Sequence, residues 1–314
     1  MRKIVLENSW FRAVILPDVG AKIYDLIWKP ADRNLLWHNP RTAPQPYPIE
    51  AVFDNYWCGG WDDCFPTCDA CIHGGEQYPS LGELRSLHWA VAAQNTLSAD
   101  LSVCAPITPA RVEKSVTLDA GAPVLRMRHR ITSLGYKSFD FVWGTHPAWN
   151  VSPGDVLRVP ATTGYVGEAS CASLGVAGQR YDWPLMPVAD GTVDMSRVPS
   201  ASGEFCGHYA ADLAAGWYAL EDASTGSGVL MRFPVEICRV LWLWLNYGGY
   251  RGHYHVVLEP WTSRPVVLSD AVREGTSLRL EKGAVFEVEV AVTCYDPPET
   301  WRDALRRMEG DVAC

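Results

Sequence analysis

Apolar residues along the chain fall in short runs rich in Val, Ile, Leu, Tyr and Trp, each cut off by Gly, Pro, Asp or Asn. Very few stretches place apolar residues at helical spacing, so the pattern reads as β-strands separated by turns. It predicts strands over 13–16, 22–28, 89–93, 125–131, 139–144, 217–220, 228–233, 240–245, 255–258 and 285–294, with a further short strand at Ile4-Val5-Leu6. That many strands implies an all-β protein, a large antiparallel sandwich of two sheets. One helical stretch stands out, at the end. There Pro297-Pro298-Glu299-Thr300 precedes Trp301, Leu305 and Met308 at spacings of four and three, and predicts a short C-terminal helix packed on the sandwich.

Irregular segments over about residues 38–80 and 158–215 carry Pro, Gly and charged residues. Loops of that length are usually functional or lid-like. Neither reads as an interdomain linker, and no repeat of fixed period occurs. The expectation is one domain over 1–314, with 297–314 as terminal helix and tail.

At 314 residues, 48% hydrophobic and 20% charged, the chain can bury a substantial core. Its formal net charge of -9 removes the cationic footprint that phosphate neutralisation needs, which argues against nucleic acid as a partner. No apolar run approaches the length of a membrane span, and the opening residues are too short an apolar stretch for a secretory signal. The expectation is a cytoplasmic protein with reduced thiols and no membrane partner. Cys64, Cys68, Cys71 and His73 crowd together with Cys58 nearby, but zinc motifs usually come as two separated pairs of close ligands. Ordinary loop thiols are the expectation there, with a metal-dependent enzyme as the competing reading.

Three segments gather charged groups, Trp and turn residues at strand ends. The first is Gly59-Gly60-Trp61-Asp62-Asp63-Cys64-Phe65-Pro66, followed by Leu81-Gly82-Glu83-Leu84-Arg85. The second is Gly144-Thr145-His146-Pro147-Ala148-Trp149-Asn150, and the third Leu258-Glu259-Pro260-Trp261-Thr262-Ser263-Arg264-Pro265. In this order and spacing they resemble the galactose mutarotase-like superfamily, which includes the aldose 1-epimerases. The resemblance spans most of the chain. It takes in Gly20-Ala21-Lys22-Ile23, similar to an early Gly-rich strand entry, and Glu281-Lys282-Gly283-Ala284, similar to a last turn before a final strand.

The resemblance implies the superfamily's large β-sandwich, a small-molecule sugar as partner, no cofactor and no bound metal. It also implies a reaction in which the two anomers of an aldose interconvert. A cyclic hemiacetal opens when its ring oxygen gains a proton while the anomeric hydroxyl loses one, so one acid and one base suffice. By resemblance, His146 is the acid and Glu259 the base. An imidazole suits the first role because its ordinary pKa lies near neutrality. The alternative for His146 is a strand-end histidine capping backbone; read without the resemblance, Glu259 is equally a solvated glutamate before a proline turn.

In relatives a histidine precedes the Gly82 position, and it and an arginine a few residues on contact sugar hydroxyls. Here Leu81 stands in the histidine's place, which weakens the case for catalysis. His73 is the nearby imidazole that would substitute, against an ordinary loop histidine. Arg85 and Arg264 suit sugar hydroxyls or an anionic group on the sugar, because a guanidinium fork matches oxyanions. Each is otherwise a surface ion pair. Glu83 lies in the same segment as Arg85. Of the fourteen Trp residues, Trp61 and Trp149 are flanked by polar motif residues and are placed at the sugar, whereas Trp242 and Trp244 read as core.

The expected function is therefore an aldose 1-epimerase acting on a neutral, anionic or otherwise modified sugar. The alternatives are a non-catalytic or regulatory sugar-binding protein, or another carbohydrate isomerase or lyase on the same scaffold. Exposed strand edges allow pairing into a homodimer, with no residue marking the interface.

Overall fold

The computed structural model describes residues 1–310, and the last four residues of the expected tail lie outside them. The chain forms two compact units. The first comprises Met1–Ala148 and Pro260–Glu289, the second Trp149–Glu259 and the chain from Val290 onward.

In the first unit, strands Ile4–Glu7, Phe11–Leu16, Lys22–Trp28, Trp61–Cys64 and Gly144–Trp149 lie side by side in that order, antiparallel throughout. A second sheet is a meander of Ala90–Gln94, Ser98–Cys104, Ala110–Leu118 and Val124–Ser133. Side chains alternate across a strand, so each strand of the meander turns every second residue inward. On Ala110–Leu118 those residues are Ala110, Val112, Lys114, Val116 and Leu118. A lysine thus occupies a core position.

Lys114 is not alone there. Its register partner on the next strand is His129, also fully buried. Opposite them, from the other sheet, stands Asp63: Lys114 Nζ donates to its Oδ2 at 2.7 Å, and His129 Nε2 lies 3.0 Å from the same oxygen. Burial alone would push the Asp63 carboxyl up, but His129 and Lys114 outweigh it and hold the group well below the usual carboxylate range. Thr145 Oγ1 donates to the other oxygen, Oδ1, at 3.4 Å. Two sheets therefore meet at a polar triad inside an otherwise apolar core.

In the second unit, residues 254–259 of strand Tyr254–Trp261, then Val240–Tyr247, Glu204–Ala211, Thr163–Ala169, Arg180–Asp182, Leu185–Val188 and Gly191–Asp194, run in sheet order. A second group is Val156–Arg158, Trp217–Glu221, Gly228–Arg232 and the end of Val285–Tyr295. The C-terminal helix Trp301–Gly310 is present as predicted. Thr300 caps it: its N–H and hydroxyl both donate to the Asp303 carboxylate, and the Asp303 N–H returns a bond to Thr300 Oγ1. Trp301 stacks on Trp217 at 4.8 Å, and Arg232 donates to the Met308 carbonyl at 2.7 Å, which seats the helix on its own unit.

Several boundaries differ from the expected ones. The run 139–144 divides into Phe139–Phe141, paired with Leu278–Leu280, and the separate strand from Gly144. Both long irregular segments contain strands, among them central Trp61–Cys64 and the hairpin Cys71–His73 with Glu76–Tyr78. A seven-residue helix, Leu268–Glu274, follows Val266-Val267, whose β-branched residues had hidden it. Gly275 at φ +68° closes it in the left-handed region open to glycine.

Replacing Asp63 by Ala leaves the buried Lys114 ammonium uncompensated and should cost about 3–5 kcal/mol of unfolding free energy. Urea denaturation of Asp63→Ala against wild type measures this. Folded Asp63 also holds its proton more weakly than an unfolded aspartate, whose pKa is about 3.9. The stability it contributes is therefore present above that value and is lost as pH falls below it. Asp63→Ala should accordingly show a flatter stability profile on acidification.

Candidate functional site

Strand alternation on Trp61–Cys64 sends Asp63 to the core and Asp62 to the opposite face. On that face Asp62 is the register partner of His146 on the neighbouring strand. Directly opposed residues of an antiparallel pair have Cβ atoms about 5 Å apart on one face. The sequence after His146 continues with Pro147, which ends no strand here, because Gly144–Trp149 is hydrogen-bonded on through Ala148 to Gly60 and Trp37. Gly144 is required at the strand's entry: a Cβ there would lie 2.3 Å from the Trp261 ring.

Asp62 is 1% exposed. Its Oδ2 accepts Lys22 Nζ at 3.1 Å and Trp57 Nε1 at 3.2 Å, whereas its Oδ1 is buried and accepts no hydrogen bond. Lys22 is equally buried and donates also to the Gly59 carbonyl at 2.7 Å. Burial would lower the Lys22 ammonium, but the Asp62 carboxylate overrides it and the lysine stays firmly charged. Trp57 presents its ring edge-on to His146, with centroids 5.5 Å apart, and Phe53 does the same at 6.2 Å. Burial pushes the His146 imidazole down to about 4, against the pull of Asp62 and Asp54. His146 is thus neutral near pH 7 in the unliganded protein.

Phe53 and Asp54 also line a cleft of about 720 Å³ in the first unit. Its walls include Ile49, Ala51 and Ser80, and its ionisable side chains include Glu50, Asp54 and Glu76, with no Lys, Arg or His among the lining residues. Arg85 stands behind these walls, 1% exposed. Its Nε donates to the Ser80 carbonyl at 2.5 Å, and its Nη2 to those of Ile49 and Ala51 at 3.4 and 3.3 Å. Its guanidinium carbon lies 5.3 Å from the Phe53 ring centre, so one aromatic ring touches both Arg85 and His146.

The remaining predicted residues are placed as follows. Glu83 is fully buried and accepts the Ile107 and Thr108 N–H groups at 2.7 and 2.9 Å, which fixes the turn bearing Ile107 on the cleft wall. Burial raises its carboxyl above the usual range, with those bonds opposing. Leu81 is buried, in the left-handed region at φ +57°, and its N–H donates to the Cys68 carbonyl. His73 Nε2 lies 3.8 Å from Asp140 Oδ2, a carboxylate that also pairs with Arg279, and no contact joins it to Arg85. Trp61 is fully buried on the Asp63 face of its strand, its indole N–H donating to Thr145 Oγ1. Arg264 is exposed. In the second unit, Glu259 is 1% exposed, and its charge helps raise the buried Tyr218 hydroxyl, on which burial acts most strongly. Trp149, wholly buried, donates its indole N–H to that same Tyr218 hydroxyl at 3.0 Å.

Cys58, Cys64 and Cys68 are buried and Cys71 is half-buried. Among the described residues no three His, Cys, Asp or Glu side chains converge as a metal site, and no helix is long and apolar enough to cross a membrane. Sequence reasoning did not single out Lys22, Trp57 or Asp62. The available signal was a lysine opening an otherwise apolar strand and two adjacent aspartates between Trp and Cys.

No family model matches the sequence, and no curated protein matches it. Solved structures do. The Slr1438 protein from Synechocystis sp. PCC 6803 superposes with a TM-score of 0.70 at 19% identity, over 94% of this chain and 96% of that one. A galactose mutarotase-like protein from Lactobacillus casei ATCC 334 gives 0.64 at 17% identity, over 94% of this chain and 100% of its own. A galactose mutarotase related enzyme from Lactobacillus acidophilus gives 0.64 at 14% identity, covering 95% and 99%. The chain, almost wholly antiparallel sheet with a short C-terminal helix, has the galactose mutarotase-like sandwich fold.

Proposed function

We propose that the protein is an aldose 1-epimerase in which His146 protonates the ring oxygen and Glu259 takes the proton of the anomeric hydroxyl. The C1–O5 bond breaks to give the open aldehyde, rotation about C1–C2 presents its other face, and reclosure runs with the two groups in reversed roles. The observation that carries this reading is the burial of both groups on strands, His146 at 7% and Glu259 at 1% exposure. Ionisable groups withdrawn from water on regular strands are costly to keep without a task. A glutamate merely solvated before a proline turn would be exposed. The mutarotase-like fold supports the same reading by analogy.

Glu50, Asp54 and Glu76 make the cleft wall acidic, and none of its lining residues is Lys, Arg or His. Arg85, the residue best suited to an anionic sugar, spends Nε and Nη2 on three backbone carbonyls, its Nη1 is buried without a hydrogen bond, and it is not among the residues lining the cleft. A neutral aldose is therefore the preferred substrate. Buried Leu81, which supplies no donor where relatives have an imidazole, favours the second reading, a sugar-binding protein without turnover.

Saturation-transfer NMR across a panel of aldoses separates the two. Exchange of anomers above the spontaneous rate is expected, and should fall at least about a hundredfold in His146→Ala and in Glu259→Ala, with folding retained. Ligand-induced shifts without exchange for any sugar would establish the binding protein instead. In the same assay an aldose 6-phosphate should be turned over about tenfold less efficiently than its neutral parent, since like charges meet at the cleft. Equal rates for the two would show that the acidic wall does not meet the substrate.

A further inference from the structure

The buried Lys22–Asp62 pair has more than it needs to satisfy itself. Lys22 bonds one oxygen of Asp62, Trp57 bonds the same oxygen, and the second oxygen stays buried with no donor. An unsatisfied carboxylate oxygen at 1% exposure is costly, and its position explains the cost. Asp62 is the direct cross-strand partner of His146, on the same face of the sheet, and one Trp57 indole touches both.

We infer that Asp62 is the positioning residue of His146: its unused Oδ1 receives the imidazolium N–H whenever His146 carries a proton, while Lys22 holds the carboxylate in place. The inference rests on the epimerase reading for its catalytic meaning. An acid that delivers a proton to the ring oxygen must first hold one, and a buried imidazole holds one only beside an anion. Within the first unit the charges that bear on His146 are Asp62 from strand Trp61–Cys64, Asp54 from the turn Phe53–Asn55, and Lys22 from strand Lys22–Trp28. Asp54 lines the open cleft, whereas Asp62 is sealed from water, so the less screened anion is Asp62. Lys22 opposes protonation and keeps the pair's charge balanced when His146 is neutral. No bond other than those to the travelling proton changes: the proton passes between solvent or sugar and the imidazole, and Asp62 only accepts the hydrogen bond.

The test is the titration of the His146 ring, read by NMR on histidine-labelled full-length protein without sugar. In Asp62→Asn the protonation midpoint should fall by about one pH unit or more, and in Lys22→Gln it should rise. An unchanged midpoint in folded Asp62→Asn, or a fall in Lys22→Gln, would overturn the inference. Because either variant can fail to fold, the wild-type protein supplies a second readout. The Asp62 carboxyl carbon should shift at the His146 midpoint, and a resonance insensitive to that step would overturn it equally. In activity, Asp62→Asn should lower kcat with KM nearly unchanged and displace the acid limb of the pH profile, whereas Asp62→Glu should restore part of both. The two readings fail separately. A His146 midpoint that responds to Asp62 in a protein showing no anomer exchange refutes the epimerase and leaves the pairing, and exchange with an unresponsive midpoint does the reverse.

Discussion

Two adjacent carboxylates in mid-strand set the terms for the first unit. Asp62 and Asp63 are both about 1% exposed, and the alternation of a β-strand forces them to opposite faces. Neither can be ionised in such surroundings without a partner, so each face has to supply cations. On the core side Lys114 does so from the opposing sheet, with the His129 ring beside it in register on the neighbouring strand. On the other side Lys22 comes from the adjacent strand of the same sheet. The register of four strands is thereby coupled to one dipeptide, because a one-residue slip would exchange the two faces and strand every charge.

The same arrangement explains how a histidine sits in so dry a position. His146 takes its place on a strand edge-on to Trp57 and Phe53, which exclude water and favour the neutral ring. Asp62 and Asp54 pull the other way, and Lys22 moderates Asp62. The balance of these groups, not the histidine alone, fixes how readily the ring is protonated. Proton chemistry at this position is accordingly a property of three strands and a turn.

Much of this was legible in the sequence. Strand content, the terminal helix and the sandwich class follow from short apolar runs cut off by turn residues and from the Pro-Pro-Glu-Thr entry to the last helix. What escaped did so for identifiable reasons. Trp61–Cys64 contains two aspartates where a strand reading demands apolar residues, and only the cations from distant strands make it a strand. Strands at 180–194 are short and substantially exposed, so their pattern carries no clear inward face. The family resemblance picked out His146 and Glu259, and the fold buries each on a strand of its own unit. Trp61, also picked out for the sugar, lies on the Asp63 face of its strand with its indole N–H donating to Thr145, a pairing that no local pattern reveals.

The clasp made by Arg85 has a thermodynamic consequence for whatever enters the cleft. One guanidinium holds the carbonyls of Ile49, Ala51 and Ser80, which belong to chain segments about thirty residues apart. It is itself packed against Tyr47 and Phe53. The entropy of ordering these two walls is thus spent when the chain folds, not when a ligand arrives. A guest meets a gap of set width, so small rings that match it gain nearly the full value of their contacts, and larger ones face a rigid frame in place of a yielding loop.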